Sequence, residues 1–211
     1  MTINYQNLEK IKSTIAKFKK TQLLIVTKKQ SLEDIIELIN KGQCSFGENR
    51  VQEAKSKYFN LRADNDFLLH LIGPLQTNKI KEAMKIFDVI QTVDRMKLVD
   101  EISKNLVDQS EIRTNEFYIQ VNIGNEEQKS GVHKDNLREL YESSISKKLN
   151  IKGLMCIPPN IVDPTKYFRE MVELRDNLNK SLKLSMGMST DYECALKNQS
   201  DIIRVGSFIF Q

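Results

Sequence analysis

Eight short apolar runs recur along the chain, and segments with apolar residues at helical spacing separate them. Because each return to a parallel neighbouring strand needs a crossover connection, this alternation predicts a parallel sheet. Eight such strands in 211 residues predict an α/β protein, a single (β/α)8 barrel (TIM barrel) that occupies residues 1–211 as one domain. The predicted strands are residues 23–28, 44–49, 68–73, 88–94, 116–123, 151–158, 183–187 and 202–210.

A doubly wound open sheet shows the same alternation and is the alternative fold. Its nucleotide-binding members place a glycine-rich phosphate loop directly after the first strand. No such loop follows residues 23–28, so the sequence favours the barrel.

The segments between the strands carry local signals for helices. Residues 31–42 have apolar side chains at helical spacing, with Ser31 as a predicted N-cap and Gly42 at the predicted end. An extra amphipathic helix is predicted before the first strand, where apolar residues recur at intervals of three and four, and we expect it to pack on the barrel. Its apolar residues are Leu8, Ile11, Ile15 and Phe18.

Charge and hydropathy argue against nucleic acid and membrane as partners. The net charge of +4 comes from 32 basic and 28 acidic residues spread along the chain, without a basic block. No run approaches the roughly 18 apolar residues of a membrane span, and the N-terminus lacks the apolar core of a signal peptide.

The cysteines and histidines predict neither a disulfide framework nor a zinc site. Cys44, Cys156 and Cys194 are widely spaced, and His70 and His133 are the two histidines. We therefore expect no metal, buried structural thiols and a location in the reducing cytoplasm.

Alternation within the strands predicts which side chains face the barrel lumen. In the fifth strand the polar residues Gln120 and Asn122 share the lumen face, where we expect them to line a ligand site. In the eighth strand Arg204 shares a face with Ile202 and Gly206. We expect Arg204 to face the lumen or its mouth, because a guanidinium cannot be buried against helices without a partner. A structural salt bridge with Glu48 is the alternative role for this arginine.

Two loops predict a phosphate site after strands seven and eight, where barrels often bind phosphate. Residues 185–190 and 205–208 combine glycines, which let backbone amides approach an anion, with hydroxyl side chains. A helix start within residues 189–196 would add its dipole. The residues concerned are Gly187, Ser189, Thr190, Gly206 and Ser207.

The first predicted strand ends in two lysines, Lys28 and Lys29, and parity alone does not say which of them faces inward. Near Arg204, like charge and desolvation would disfavour the ammonium form of a lysine and make it nucleophilic enough to form a Schiff base. A phosphate site, an aldehyde-reactive lysine and an arginine over a planar ring together describe a pocket for pyridoxal 5'-phosphate (PLP).

These motifs together resemble the YggS/PROSC family of pyridoxal phosphate-binding proteins, also called PLP homeostasis proteins. The resemblance covers nearly the whole chain in the family's order. The matching stretches are IVTK, FGENRVQEAKSK, LHLIGPLQTNKIK, TVDR, QVNIGNEEQKSGV, IKGLMCIPP, LSMGMSTDYECAL and IIRVGSFIF.

The resemblance implies a monomeric barrel like the N-terminal domain of alanine racemase. It implies that Lys28 is the Schiff-base lysine and that Arg204 faces the pyridine nitrogen. It further implies that the phosphate is held by Ser189, Gly206 and Ser207. Asn49 lies in the family motif at the end of strand two.

The resemblance also implies a role in intracellular PLP (vitamin B6) and amino-acid homeostasis. An arginine donates to the ring nitrogen without readily giving up its proton, which leaves PLP a weaker electron sink. Racemases of this fold add a second domain and a tyrosine across a dimer, whereas we expect this chain to end with the barrel. We therefore expect a carrier that delivers PLP to apoenzymes, with no catalytic residue. The alternatives are a PLP-dependent amino-acid racemase or lyase and a Schiff-base aldolase acting on a phosphosugar.

Overall fold

The computed structural model describes residues 2–18, 21–63, 65–107 and 112–210. Within them, eight parallel strands pair in chain order, and the last pairs with the first to close the barrel. The predicted (β/α)8 barrel is therefore confirmed. The strands are β1 (Gln22–Val26), β2 (Ser45–Glu48), β3 (Leu68–Leu71), β4 (Val89–Val93), β5 (Glu116–Val121), β6 (Ile151–Cys156), β7 (Lys183–Ser185) and β8 (Ile202–Val205).

The strands end earlier than the sequence predicts, most clearly at the last one. Residues 202–210 were predicted as one strand, but β8 ends at Val205. Its ladder with β1 also ends there, at the pair Ile25 and Val205. Gly206 then starts a turn in which its carbonyl accepts the N–H groups of Ile209 and Phe210. The residues after β8 therefore form a loop at the carboxyl end of the barrel.

Eight α-helices lie in the described residues, and the sequence signals at their ends are confirmed where they were predicted. The Ser31 side chain accepts the N–H of Asp34, and Gly42 has φ +79° just beyond the helix that follows Ser31. The helices are α1 (Tyr5–Ile15), α2 (Leu32–Asn40), α3 (Val51–Tyr58), α4 (Ile80–Ile86), α5 (Met96–Leu106), α6 (Leu137–Ser146), α7 (Thr165–Leu178) and α8 (Tyr192–Lys197).

The extra N-terminal helix α1 packs on the barrel, as predicted. Leu8 and Ile11 are fully buried in the core between the strands and the helices. The N–H of Asn4 donates to the carbonyl of Ile209 at 2.7 Å, and the Asn7 side chain donates to the carbonyl of Phe208 at 2.7 Å. These bonds hold the loop after β8 in place.

The predicted alternation of strand side chains is also confirmed. Phe117 and Ile119 of β5 lie in the core beneath the helices, whereas Tyr118 lies in a separate cluster inside the lumen. Tyr118 fills the space beside Gly153 of β6, where an added Cβ would come within 2.4 Å of the tyrosine ring. The other buried residues of the lumen cluster are Leu24, Val26, Val89, Met155 and Ile202.

The described helices are short relative to a membrane. The longest, α7, has 14 residues, whereas crossing a bilayer takes about 20 apolar residues. No helix in the described part of the chain is long and apolar enough to span a membrane.

Candidate functional site

A cavity of about 310 Å³ opens at the carboxyl end of the barrel. This volume lies at the lower end of the roughly 300–1,000 Å³ typical of small-molecule sites. The structure brings together all six site residues predicted from the sequence, because each of them lines this cavity. They are Lys28, Asn49, Ser189, Arg204, Gly206 and Ser207.

The remaining lining is mostly apolar, and apart from Thr190 it was not identified from the sequence. Ile72 follows β3 and Ile157 follows β6, and both pack against the lumen cluster. Extending the alternation of each strand beyond its last residue would have identified them. Val26, Met188 and Thr190 complete the lining.

The structure shows which of the two lysines faces the cavity. Leu24 and Val26 lie in the lumen cluster, and Lys28 continues the same alternation into the cavity lining. Lys29 instead adopts φ +63°, and its backbone N–H donates to the carboxylate of Glu53. The Lys28 side chain is therefore the amine that reaches the cavity.

A buried polar cluster fastens the end of β1 from outside the barrel. The hydroxyl of Thr27 donates to Glu48 Oε1 at 2.8 Å and lies 2.6 Å from the hydroxyl of Tyr58. Lys57 Nζ donates to the carbonyl of Thr27 at 2.8 Å and to Glu48 Oε1 at 3.1 Å. Because Thr27 directly precedes Lys28, this cluster fixes the backbone that presents the cavity lysine.

The alternative salt bridge between Arg204 and Glu48 is wrong. Glu48 follows the alternation of the outward-facing Phe46, so its carboxylate points to Lys57 of α3 rather than into the lumen.

Glu48 gives a pH-dependent prediction. Burial raises its pKa, against the opposing charge of Lys57 and the hydrogen bond from Thr27. A carboxyl group with a raised folded-state pKa contributes stability that is fully present below the unfolded pKa and is lost as pH rises through the folded pKa. Glu48→Gln cannot ionise. We therefore expect its free energy of unfolding to rise relative to that of the parent as the pH increases from about 4 to about 7.

Urea denaturation at a series of pH values measures this difference, and Glu53→Gln is the matched control. Burial also acts on Glu53, but hydrogen bonds from Lys57 and the Lys29 backbone outweigh it and lower the pKa. A lowered pKa contributes stability above the unfolded pKa, so Glu53→Gln should lose stability relative to the parent as pH rises. If the free energies of unfolding of both variants changed in the same direction with pH, relative to the parent, the raised pKa of Glu48 would be contradicted.

Arg204 is a buried cation held by uncharged acceptors. It is 3% exposed, and Nη1 donates to the carbonyl and the hydroxyl of Ser185 at 2.7 and 3.0 Å. Nη2 donates to the carbonyl of Cys156 at 2.8 Å. Burial lowers the pKa of Arg204, but an arginine remains protonated in proteins. Arg204 therefore presents its remaining N–H groups to the cavity as donors.

The loops after β7 and β8 supply the hydroxyl groups of the site. Gly187 has φ +96° and lies so close to α8 that an added Cβ would be 2.6 Å from Ala195 Cβ. The predicted helix dipole contributes little, because α8 has six residues and the Asp191 carboxylate precedes the first. An anion here would meet the loop hydroxyls, among them those of Ser189 and Ser207, rather than a free helix terminus.

Gln120 of β5 and Asn122, which directly follows β5, do not line the cavity, contrary to the sequence prediction. The Gln120 amide donates to the carbonyl of Ser130 at 3.1 Å. The Asn122 side chain donates to the carbonyl of Glu126 and accepts its N–H. Both side chains hold the loop after β5, because that loop folds back over the strand end.

The expectation of buried thiols holds for one cysteine of three. Cys156 is fully buried, and burial raises its pKa to about 12. Cys44 is exposed because it precedes β2 at the amino end of the barrel, and Cys194 is half-buried. No group of three or more histidine, cysteine or acidic residues in the described ranges is arranged to hold a metal ion.

The ionisable groups of the cavity are few. Among its described lining residues, Lys28 and Arg204 are the two that carry charge, and no carboxylate, imidazole, phenol or thiol accompanies them. The cavity thus combines one amine, one guanidinium and several hydroxyls with apolar walls.

Comparison with known proteins gives consistent relatives, although no protein-family model matches the chain. The pyridoxal phosphate homeostasis protein of Aquifex aeolicus is 40% identical over 198 residues, which cover 90% of this chain and 86% of that protein. The protein of the same name from Helicobacter pylori strain J99 is 34% identical over 210 residues, covering 97% and 93% of the two chains.

This chain is also similar to proteins of known structure. PipY of Synechococcus elongatus with PLP bound is 30% identical, with a TM-score of 0.86 over 98% of this chain and 99% of that chain. Alanine racemase of Acinetobacter baumannii has a TM-score of 0.75 at 12% identity, over 99% of this chain and 62% of that chain. The second similarity shows the fold alone.

Proposed function

The chain belongs to the pyridoxal phosphate homeostasis protein family, and from this premise we propose that it binds PLP as a Schiff base with Lys28. We further propose that it acts as a carrier in intracellular PLP and amino-acid homeostasis and is not a robust catalyst. The proposal treats residues 1–211 as one monomeric, cytoplasmic PLP-binding domain that hands the cofactor to apoenzymes.

The observation that carries the proposal is the convergence of three kinds of donor on one cavity. The Lys28 amine suits an aldehyde, and the Arg204 guanidinium suits a ring nitrogen that can accept a hydrogen bond. The hydroxyls of Ser189 and Ser207, with the backbone at Gly206, suit a phosphate. The apolar walls suit a planar ring. The residues present therefore fit PLP, and Asn49 lies beside them in the lining.

PLP supplies an aldehyde and an electron sink, and the chain's own residues decide how strong that sink is. Arg204 is always protonated, so it would donate a hydrogen bond to the ring nitrogen of bound PLP, and that nitrogen would then carry no proton of its own. This arrangement supports holding the cofactor more than it supports stabilising a carbanion.

The composition of the cavity favours a carrier over the three enzyme alternatives. A racemase, a lyase or a Schiff-base aldolase needs an acid or base that moves a proton at the substrate. Lys28 is the candidate in the described lining, and its amine is already committed to the cofactor or the substrate. No second group there can complete a proton transfer on the opposite face.

The exposure of Lys28 supports release of the cofactor. Its side chain is solvent-exposed at the mouth of the cavity. Enzymes commonly exclude water from a reacting centre, whereas a carrier needs water or another amine to reach the lysine–cofactor bond. An open mouth serves the second requirement.

The proposal is tested by adding PLP to the purified protein and recording its visible absorption. Borohydride reduction and peptide mass spectrometry then locate the attached group. We expect a yellow band and a pyridoxyl group on Lys28. Absence of the band with excess PLP would overturn PLP binding, and a label confined to another lysine would overturn the assignment of Lys28.

Two further assays separate carrier from enzyme. The loaded protein should restore activity to a PLP-depleted aminotransferase. In D2O, exchange of amino-acid Cα protons should be no faster than with free PLP. Exchange well above that rate would support the racemase or lyase alternative instead.

A further inference from the structure

A row of buried polar side chains crosses the lumen next to the cavity. Arg204 of β8 donates to the hydroxyl of Ser185 of β7 at 3.0 Å. That hydroxyl donates to Gln91 Oε1 of β4 at 2.6 Å, and Gln91 Nε2 lies 2.9 Å from Nδ1 of His70 on β3. All four residues are at most 3% exposed. The row therefore connects the cavity arginine to a buried imidazole.

The chemistry of the first group gives the row a direction. Arginine carries five N–H donors and no acceptor, so Ser185 Oγ must accept from Arg204. The hydroxyl proton of Ser185 is then available for Gln91 Oε1. With its oxygen engaged in this way, the Gln91 amide presents its NH2 group to His70. His70 Nδ1 therefore accepts, and the proton of the neutral ring lies on Nε2.

Both orientations of the Gln91 amide leave His70 Nε2 without a partner among the described residues, but the reversed orientation also leaves the Ser185 hydroxyl proton unpaired. Ser185 Oγ would then accept from both Arg204 and Gln91, and its own proton would lose the acceptor at 2.6 Å. Ser185 is fully buried, and a buried donor without a partner is costly.

We propose that Ser185, Gln91 and His70 form a one-way hydrogen-bond relay that positions the Arg204 guanidinium in the cavity wall. This relay rests on the proposed function in one respect, namely that Arg204 faces the ring nitrogen of PLP. The three are positioning residues and do not touch the cofactor.

Arg204 needs such support because no carboxylate in the described ranges forms an ion pair with it. Its contacts with the carbonyls of Ser185 and Cys156 fix two nitrogens of the guanidinium. The relay orients the Ser185 hydroxyl, so that both Nη1 bonds are made in one geometry. The Nε–H and one Nη2–H then remain for the cavity.

The surroundings of His70 keep the imidazole neutral. Burial lowers its pKa to about 3, opposed by the charge of Asp88 and assisted by that of Lys183. Its Nε2 has no hydrogen-bond partner among the described residues, so the relay ends there. A protonated ring would carry hydrogen on both nitrogens and could not accept from Gln91.

The relay is tested first without PLP, by NMR of the protein labelled with 15N-histidine. The chain has two histidines, and His133→Gln assigns both sets of signals. We expect long-range 1H–15N spectra at neutral pH to show His70 as the neutral Nε2–H form. A neutral Nδ1–H form, or a charged ring, would overturn the relay even if PLP binds as proposed.

Gln91→Glu then reverses the last bond. A carboxylate at position 91 can only accept, from the Ser185 hydroxyl and from His70 Nδ1. The single proton of His70 should therefore move to Nδ1, or His70 should gain a second proton on Nδ1. An unchanged Nε2–H spectrum would overturn the relay. If this variant does not fold, the parent spectrum still decides.

The positioning role has its own measurement in the PLP-bound protein. Gln91→Leu should shift the absorption maximum of bound PLP and weaken binding about tenfold, because Arg204 loses its fixed orientation. Gln120→Leu is the matched control, since it also removes a buried lumen glutamine but one that bonds Ser130. His70→Asn keeps a neutral acceptor for the Gln91 amide, so the absorption spectrum of bound PLP should stay as in the parent.

Equal spectra for Gln91→Leu, Gln120→Leu and the parent would overturn the positioning role. Absence of PLP binding in the parent would contradict the proposed function and leave the NMR result standing.

Discussion

Replacement of Lys28 by alanine should abolish the visible absorption band of the PLP-loaded protein and lower its PLP affinity about a hundredfold, or about 3 kcal/mol. The covalent bond requires the amine at the cavity, and alanine cannot supply one. Arg204 and the hydroxyls of Ser189 and Ser207 remain in the variant. We therefore expect weak, non-covalent binding rather than none.

Lys29→Asn is the matched control for Lys28→Ala. Lys29 has φ +63°, a conformation that asparagine adopts with little strain. The hydrogen bond from the backbone N–H of Lys29 to Glu53 does not depend on the side chain at position 29. Absorption titration and equilibrium dialysis with PLP measure both variants. We expect the control to keep the band, and loss of the band in Lys29→Asn with retention in Lys28→Ala would reverse the assignment.

The assignment of Lys28 shows how much of the site is local information. The alternation that places Leu24 and Val26 in the lumen also places Lys28 on that face. The sequence alone therefore gives the direction of Lys28 once Leu24 or Val26 is known to face inward. For Arg204 the sequence argument combined this alternation with the cost of burying a guanidinium against helices, and Arg204 lines the cavity. The alternation failed for Asn122 as a cavity residue, because it gives a face and not whether a loop returns to cover it.

The relay depends on contacts that no local pattern contains. Barrel closure brings β3, β4, β7 and β8 to one layer of the lumen, where Gln91 meets a serine 94 positions later in the chain. The early end of β8 has a similar origin, because a strand continues only as far as its neighbours offer ladder partners. The sequence predicted the elements and their faces, whereas closure of the barrel selected the partners.

Gly73 shows how closely the loop after β3 approaches the site. An added Cβ would lie 2.2 Å from the carbonyl oxygen of Asn49 and 2.7 Å from its Cα. Both are backbone atoms, so no side-chain rotation can relieve the contact. Asn49 lines the cavity, and the two strand ends must separate for any larger residue to fit at position 73.

Gly73→Ala should therefore lower the free energy of unfolding by about 3 kcal/mol and weaken PLP binding at the same time. Gly42→Ala is the comparison, because its Cβ would meet nothing within 4 Å while its φ of +79° disfavours alanine. That variant should lose about 1 kcal/mol and bind PLP as the parent does. Urea denaturation and PLP titration measure both variants.

A smaller loss of unfolding free energy in Gly73→Ala than in Gly42→Ala would show that the end of β2 moves without cost. Asn49 would then not be fixed by the loop after β3.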